Sequence, residues 1–292
     1  MENKPGPVLL RRQVGGLLRR LRETAGRSLT EVAEYLDCSP AKVSRIETGR
    51  MVARLPDVRS MLDLYGAADT ERKHLLELVR GSRERGWWRE YADIMAEGME
   101  TFHGLQDAAR SIDWFDRSAI PGLLQTREYA YALHAPRTVP PAPPDPTTDR
   151  QVALRMTSQR VLERADPPRL HAILDEGVLR RGPDSPVVLR DQLRHVRTMA
   201  ARPNITVQVV PFSAGFLPST VGFITFGLPD PTRPRVVFAE QALGGRGESK
   251  PEALGRFALA FDRLRALALS PADSDGFLAR AVEECANRRA AG

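Results

Sequence analysis

The stretch SLTEVAEYLDCSPAKVSRIETG, residues 28–49, carries two helix start signals with one break between them. Ser28 and Glu31 stand at capping-box spacing, where a hydroxyl and a carboxylate each accept from a backbone N–H that the helix leaves open. Val32, Ala33 and Leu36 follow at helical spacing and give one apolar face. Asp37-Cys38 interrupts that face. Ser39 then supplies a second N-cap, and Pro40 takes the first helical position, where its missing N–H costs nothing. Val43 and Ile46 turn inward, and Gly49 is a left-handed stop. The spacing predicts two short helices across a tight turn, crossing closely at the small residue Ala33.

Such a pair is a helix-turn-helix. Its second helix turns Ala41, Lys42, Ser44 and Arg45 outward, residue types that suit the base edges and phosphates of a DNA major groove. The plain alternative is an αα-hairpin in a helical core, with Lys42 and Arg45 merely solvated. The two caps, the small residue at the crossing and the basic outer face favour the DNA reading.

Around this motif the chain resembles the Cro/Xre, or lambda-repressor-like, DNA-binding domain. Leu17, Leu18 and Leu21 in QVGGLLRRLRETAG match its first helix, and SPAKVSRIETG matches its recognition helix. Leu55, Val58, Met61, Leu62 and Tyr65 match the fourth helix, with the fifth near residues 70–79. The resemblance implies a five-helix bundle in which Pro40, Ala41, Ser44 and Arg45 meet bases. Arg45 is the strongest reader by chemistry, because a guanidinium can bind guanine bidentately. Thr30, Ser39, Lys42 and Arg50 are expected at phosphates, which set register without reading sequence. Two residues depart from the family pattern. Leu29 stands where a phosphate-binding Gln is frequent, and Asp37 stands where the turn usually has Gly.

The chain has 292 residues, too many for this motif alone and enough for two domains. Hydrophobic residues make up 42%, which argues against wholesale disorder. Lysine and arginine exceed aspartate and glutamate by 43 to 37, a net charge of +6 that fits a polyanionic partner. Arg11, Arg12, Arg19, Arg20, Arg22 and Arg27 crowd the approach to the motif, so the surplus leans towards the DNA end. Cys38 and Cys285 are the only cysteines, which disfavours a disulfide scaffold and points to a reducing cytoplasm. Without an apolar leader or a long apolar run, neither secretion nor membrane spanning is expected.

Helical periodicity runs to about residue 79 and is broken by GSRERG (81–86). The expected organisation is a DNA-binding domain over 1–82, a linker with an aromatic cluster over 83–103, and an α+β domain over 104–290. Trp87, Trp88 and Tyr91 are expected to pack on that second domain or on a second subunit. Residues 104–116, 126–134 and 148–164 read as helices, and the proline-dense stretch 135–146 as a surface loop. Residues 170–174, 205–210, 222–226 and 235–238 read as strands of a small mixed sheet. A helix at 187–201 suggests that the first two pair in parallel, while the last two suit a hairpin across Pro229-Asp-Pro231. Helices over 251–268 and 275–289 complete the chain.

The second half carries a resemblance of its own. Trp114-Phe115, then IPGLLQTREYAYAL, LDEGVLRR, QLRHV, ITVQVVPFSAG and GFITF occur in the order seen in the C-terminal domain of actinobacterial regulators of the WhiJ type. That family is sometimes described as antitoxin-like and is often encoded beside a small acidic protein. RMTSQRVLER (155–164) departs from its usual Arg-x-x-Arg-Gln pattern. The resemblance implies a homodimeric regulator whose C-terminal domain senses a protein partner or signal. The alternative is an antitoxin-like protein that binds the small partner and only autoregulates its operon. No metal or cofactor is expected, because His74, His103, His134, His171 and His195 are scattered and Gly244-Gly-Arg-Gly247 lacks the context of a phosphate loop. His171 reads as a core histidine and Asp175-Glu176 as a capping pair, so no enzymatic activity is expected.

Overall fold

The computed structural model describes residues 6–84, 86–135, 146–183, 185–230, 234–241, 244–248 and 250–290. The described chain forms two compact units, the first built mainly from residues up to Arg89 together with His103–Ala108.

Five helices make most of the first unit: α1 (Pro7–Thr24), α2 (Leu29–Tyr35), α3 (Pro40–Glu47), α4 (Leu55–Leu64) and α5 (Asp69–Gly81). Their apolar faces converge on a core that includes Leu18, Val32, Val43, Ile46, Met61 and Leu75. Four of these helices stop by the same device. The residue at 26, 37, 49 or 66 takes a positive φ, and the N–H after it reaches back to a carbonyl of the last turn. Three of the four are glycines; the fourth, Asp37, is held at φ 48.

Beyond α5, Trp87–Tyr91 forms a 3₁₀ turn, followed by α6 (Met99–Ala108). Trp88 is buried and meets Trp87 edge to face, and the Trp87 Nε1–H donates to Asp107 at 3.2 Å. Trp87 also lies 5.4 Å from His103, ring centre to ring centre. These aromatics thus find partners within the first unit of their own chain.

The second unit is built on six strands, β1 (Ser111–Asp116), β2 (Arg169–Asp175), β3 (Ile205–Val210), β4 (Phe223–Gly227), β5 (Arg235–Gln241) and β6 (Gly244–Glu248), in the order β3-β2-β1-β4-β5-β6. The β2–β3 and β1–β2 pairs are parallel, and β4, β5 and β6 are added antiparallel. This is the expected mixed sheet, with the parallel β2–β3 pair and the β4–β5 pair read from sequence. The β4–β5 connection at 231–233 and the proline-dense stretch 136–145 lie outside the described residues.

One segment corrects the reading. Residues 104–116 do not form a single helix: α6 ends at Ala108, and 111–116 becomes the central strand of the sheet. Ile112, Trp114 and Phe115 are all buried, and the strand is paired on both sides. Its alternation, Ser111-Ile112-Asp113-Trp114, spans four residues and is broken by Phe115, too short a signal against the helical run before it. Gly244–Gly247, noted for its glycines, belongs to the edge strand β6.

Helices α7 (Arg127–His134), α8 (Pro146–Gln159), α9 (Glu176–Arg180), α10 (Pro186–Ala200), α11 (Pro251–Leu267) and α12 (Pro271–Ala290) complete this unit. One side of the sheet carries Phe102, Trp114, Phe226 and Phe238 in ring contact. Another cluster joins Phe115 and Phe223 to Phe261 and Leu264 of α11. Arg197 of α10 holds Asp275 of α12 bidentately at 2.7 and 2.9 Å. The IPGLLQT segment is braced by glutamines. Gln192 accepts from Thr126 N and donates to Leu124 O, while Gln159 donates to the carbonyls of Gly122 and Gln125.

Candidate nucleic-acid interface

Every local feature predicted for residues 28–49 is present. Ser28 Oγ accepts from Glu31 N at 3.2 Å, and Glu31 accepts from Ser28 N at 2.7 Å. The Ser28 N–H holds the Glu31 carboxyl below its ordinary value. Ser39 Oγ accepts from Lys42 N at 3.3 Å, and Pro40 opens α3. Arg50 N and Gly49 N then donate to the carbonyls of Arg45 and Ile46, closing the helix and setting Arg50 just past its end.

The outer face of α3 contains Pro40, Ala41 and Arg45, all exposed, with Ser44 half-buried beside them. Arg45 Nε donates to Ala41 O at 3.3 Å, which lays the side chain along its own helix. Thr30, Ser39 and Arg50 are also exposed. Leu29 is partly buried against the core, so apolar packing replaces the polar contact that a glutamine would make there.

Lys42 is engaged within the domain. Its Nζ lies 2.8 Å from Asp57 Oδ2 of α4, with both side chains part-buried. The pair ties α3 to α4 and offsets the Lys42 cation.

Two further features position α3 and went unnoticed in the sequence. Arg22 of α1 grips Glu47 of α3 through Nε–Oε1 at 2.7 Å and Nη2–Oε2 at 3.0 Å. Glu47 is 3% exposed and Arg22 9%, and Arg22 Nη1 also donates to Arg27 O at 2.8 Å. The Glu47 hydrogen bonds push the Arg22 guanidinium up from an already high value. The bridge spans 25 residues of sequence, so no local pattern announces it. Nearby, α1 passes over the end of α3 at Gly15, where an added Cβ would stand 2.6 Å from the carbonyl oxygens of Ile46 and Glu47.

This geometry defines a helix-turn-helix domain, and the family model described as "Helix-turn-helix domain" matches residues 13–75. A second model, "Domain of unknown function (DUF5753)", matches residues 99–280. The chain belongs to the DUF5753 family. No curated protein and no solved structure matches it. Among the described residues, no helix is long and apolar enough to cross a membrane.

Proposed function

We propose that this protein is a sequence-specific transcriptional regulator of the Cro/Xre type. Two copies place their α3 helices in successive major grooves of double-stranded DNA, about one helical turn apart on a pseudo-palindromic operator. Pro40, Ala41, Ser44 and Arg45 meet bases; Thr30, Ser39 and Arg50 meet phosphates, with Lys42 beside them. The observation that carries this reading is the outer face of α3, capped, exposed and basic, on a helix braced from behind by Arg22, Gly15 and Asp57. A helix this short reads few base pairs, which is why a second copy is part of the proposal.

The reading assigns the chain a cytoplasmic place on DNA and no catalytic step. His171 is engaged by Gln208 at 2.7 Å and by the edge of Phe261. Asp175 caps α9 through Gly177 N, and Glu176 accepts from Phe212 N while pairing with Arg180.

Genome-wide binding of the tagged full-length protein, followed by footprinting of the recovered sites, tests the proposal. Two-fold related half-sites, with base preference relaxed at one position per half-site in Arg45→Ala, are expected. Protection of a single unrepeated half-site contradicts the paired arrangement. Binding confined to the protein's own promoter, with a small acidic protein co-purifying, would favour the antitoxin-like alternative.

A further inference from the structure

The second unit contains a cavity of about 610 Å³ that the DNA-binding reading leaves unused. It sits where β1 and β2 end in Asp116 and Asp175 and where the chain leaves β3 at Pro211. Crevices beyond the carboxyl ends of parallel strands are the customary ligand sites of open α/β sheets, and the volume suits a small organic molecule.

The lining has two chemical characters. Phe115 and Phe223 form apolar wall, and Phe212 and Phe216 stand on the loop after β3. Phe216 is 104% exposed and Phe212 61%, an unusual loss of apolar surface to water for two aromatics four residues apart. The polar part holds two carboxylates, Asp116 and Asp175. Asp116 accepts from Ser118 N at 2.9 Å, from Ala119 N at 3.3 Å and from Trp114 Nε1 at 3.4 Å. Asp175 accepts from Gly177 N at 2.7 Å. Among the described residues neither makes an ion pair, and burial pushes the Asp116 carboxyl up against the pull of its backbone donors. Arg117 and Arg181 also border the cavity, but both are exposed, and the Arg117 guanidinium donates to Thr220 O at 2.9 Å. The negative groups are therefore the deeper ones and the positive groups the shallower.

We infer that this cavity binds a small organic cation, an amine with an aromatic or apolar body, its ammonium against Asp116 and Asp175 and its body among Phe212, Phe216 and Phe223. A part-buried carboxylate that makes no ion pair gains from a ligand that brings a cation. Exposed rings beside it supply apolar cover and a cation–π surface. A metal ion fits poorly, because a hard cation needs six or more oxygen ligands and, among the described residues, Asp116 and Asp175 are the only carboxylates in the lining.

Phenethylamine, 2-phenylethanol and 3-phenylpropionate share a ring and differ in charge, so they separate the inference from simple apolar filling. The full-length protein is melted with each at about 10 mM, a concentration suited to fragments of millimolar affinity. Phenethylamine should raise the melting temperature by about 2 °C and the alcohol and the acid should not. Asp175→Asn should abolish the rise. Phe216→Ala, at a side chain wholly in solvent, should leave the unliganded melting temperature unchanged and weaken phenethylamine binding about three-fold in a titration. An equal rise with all three compounds, no rise with the amine, or an undiminished rise in Asp175→Asn would overturn the inference. Asp116→Asn keeps the Oδ1 acceptor for Ser118 N and Ala119 N but loses the Oδ2 acceptor for Trp114 Nε1; it should also abolish the rise, and the other two variants decide the matter if it fails to fold. Operator binding is read separately by footprinting, so either proposal can fail alone.

Discussion

Lys42 and Asp57 form a 2.8 Å ion pair between α3 and α4, so a cation beside the exposed outer face of α3 is already engaged by a carboxylate. The two ends of the pair should therefore respond differently when cut. Asp57→Asn releases the ammonium and is expected to steepen the salt dependence of DNA binding by up to about one unit of log–log slope. Lys42→Ala should flatten it by less than that. Fluorescence anisotropy over a salt series checks both; equal and opposite changes would show that the pair opens freely on DNA.

Glu47 and Arg22 are buried together, and removing one leaves the other charged and unsatisfied. Glu47→Ala is expected to cost about 3 kcal/mol or more, whereas replacing both by Leu and Met should cost much less. Urea unfolding of the parent and the two variants gives the comparison. Comparable losses in the single and double variants would mean that shape, rather than the lone charge, sets the cost.

Asp37 sits at φ 48 in the turn, a conformation that glycine adopts without a Cβ penalty. Asp37→Gly is expected to stabilise the first unit by a few tenths of a kcal/mol to about 1 kcal/mol, the gain in φ freedom being partly offset by the flexibility of the unfolded chain. Thermal melting provides the readout, and a clear loss would show that the Asp37 side chain itself holds the turn.

Burial, with Arg155 adding to it, pushes His134 down to about 4 from its ordinary 6.5. Burial and Arg202 also lower His195. Between pH 6.5 and 4 the unfolded chain takes up protons that the folded chain refuses, so stability is full above pH 6.5 and declines as pH falls through that window. The limiting slope is about 1.4 kcal/mol per pH unit for each histidine, reduced here by partial solvent exposure. Asp113 and Asp116 are pushed up by burial and act in the opposite sense at acid pH. Comparing His134→Gln with the parent therefore isolates the effect, and the variant's stability should fall less between pH 7 and pH 4.5.

What could be read from sequence was local. Capping boxes, helix stops and the outward face of α3 are fixed by residues three or four positions apart, and all of them are present. What escaped was non-local. Arg22 finds Glu47 and Lys42 finds Asp57 only once the bundle has formed. β1 alternates only over Ser111–Trp114, and its central place in the sheet comes from partners far along the chain. The cavity draws on strand ends and on a loop far apart in the chain. The IPGLLQT motif was legible as a signature but not as a structure, since its meaning lies in the side chains of Gln159 and Gln192.

Gly15 has a consequence for how operator preference can drift. The space over the carbonyl oxygens of Ile46 and Glu47 is too small for a methyl group. Any side chain at this position must lift α1 or tilt α3, moving Arg45 without altering a single group on the proposed DNA face. Variants selected for a new operator should thus arise at the back of the domain as well as at its front, with α1 acting as the adjusting screw of the reading head.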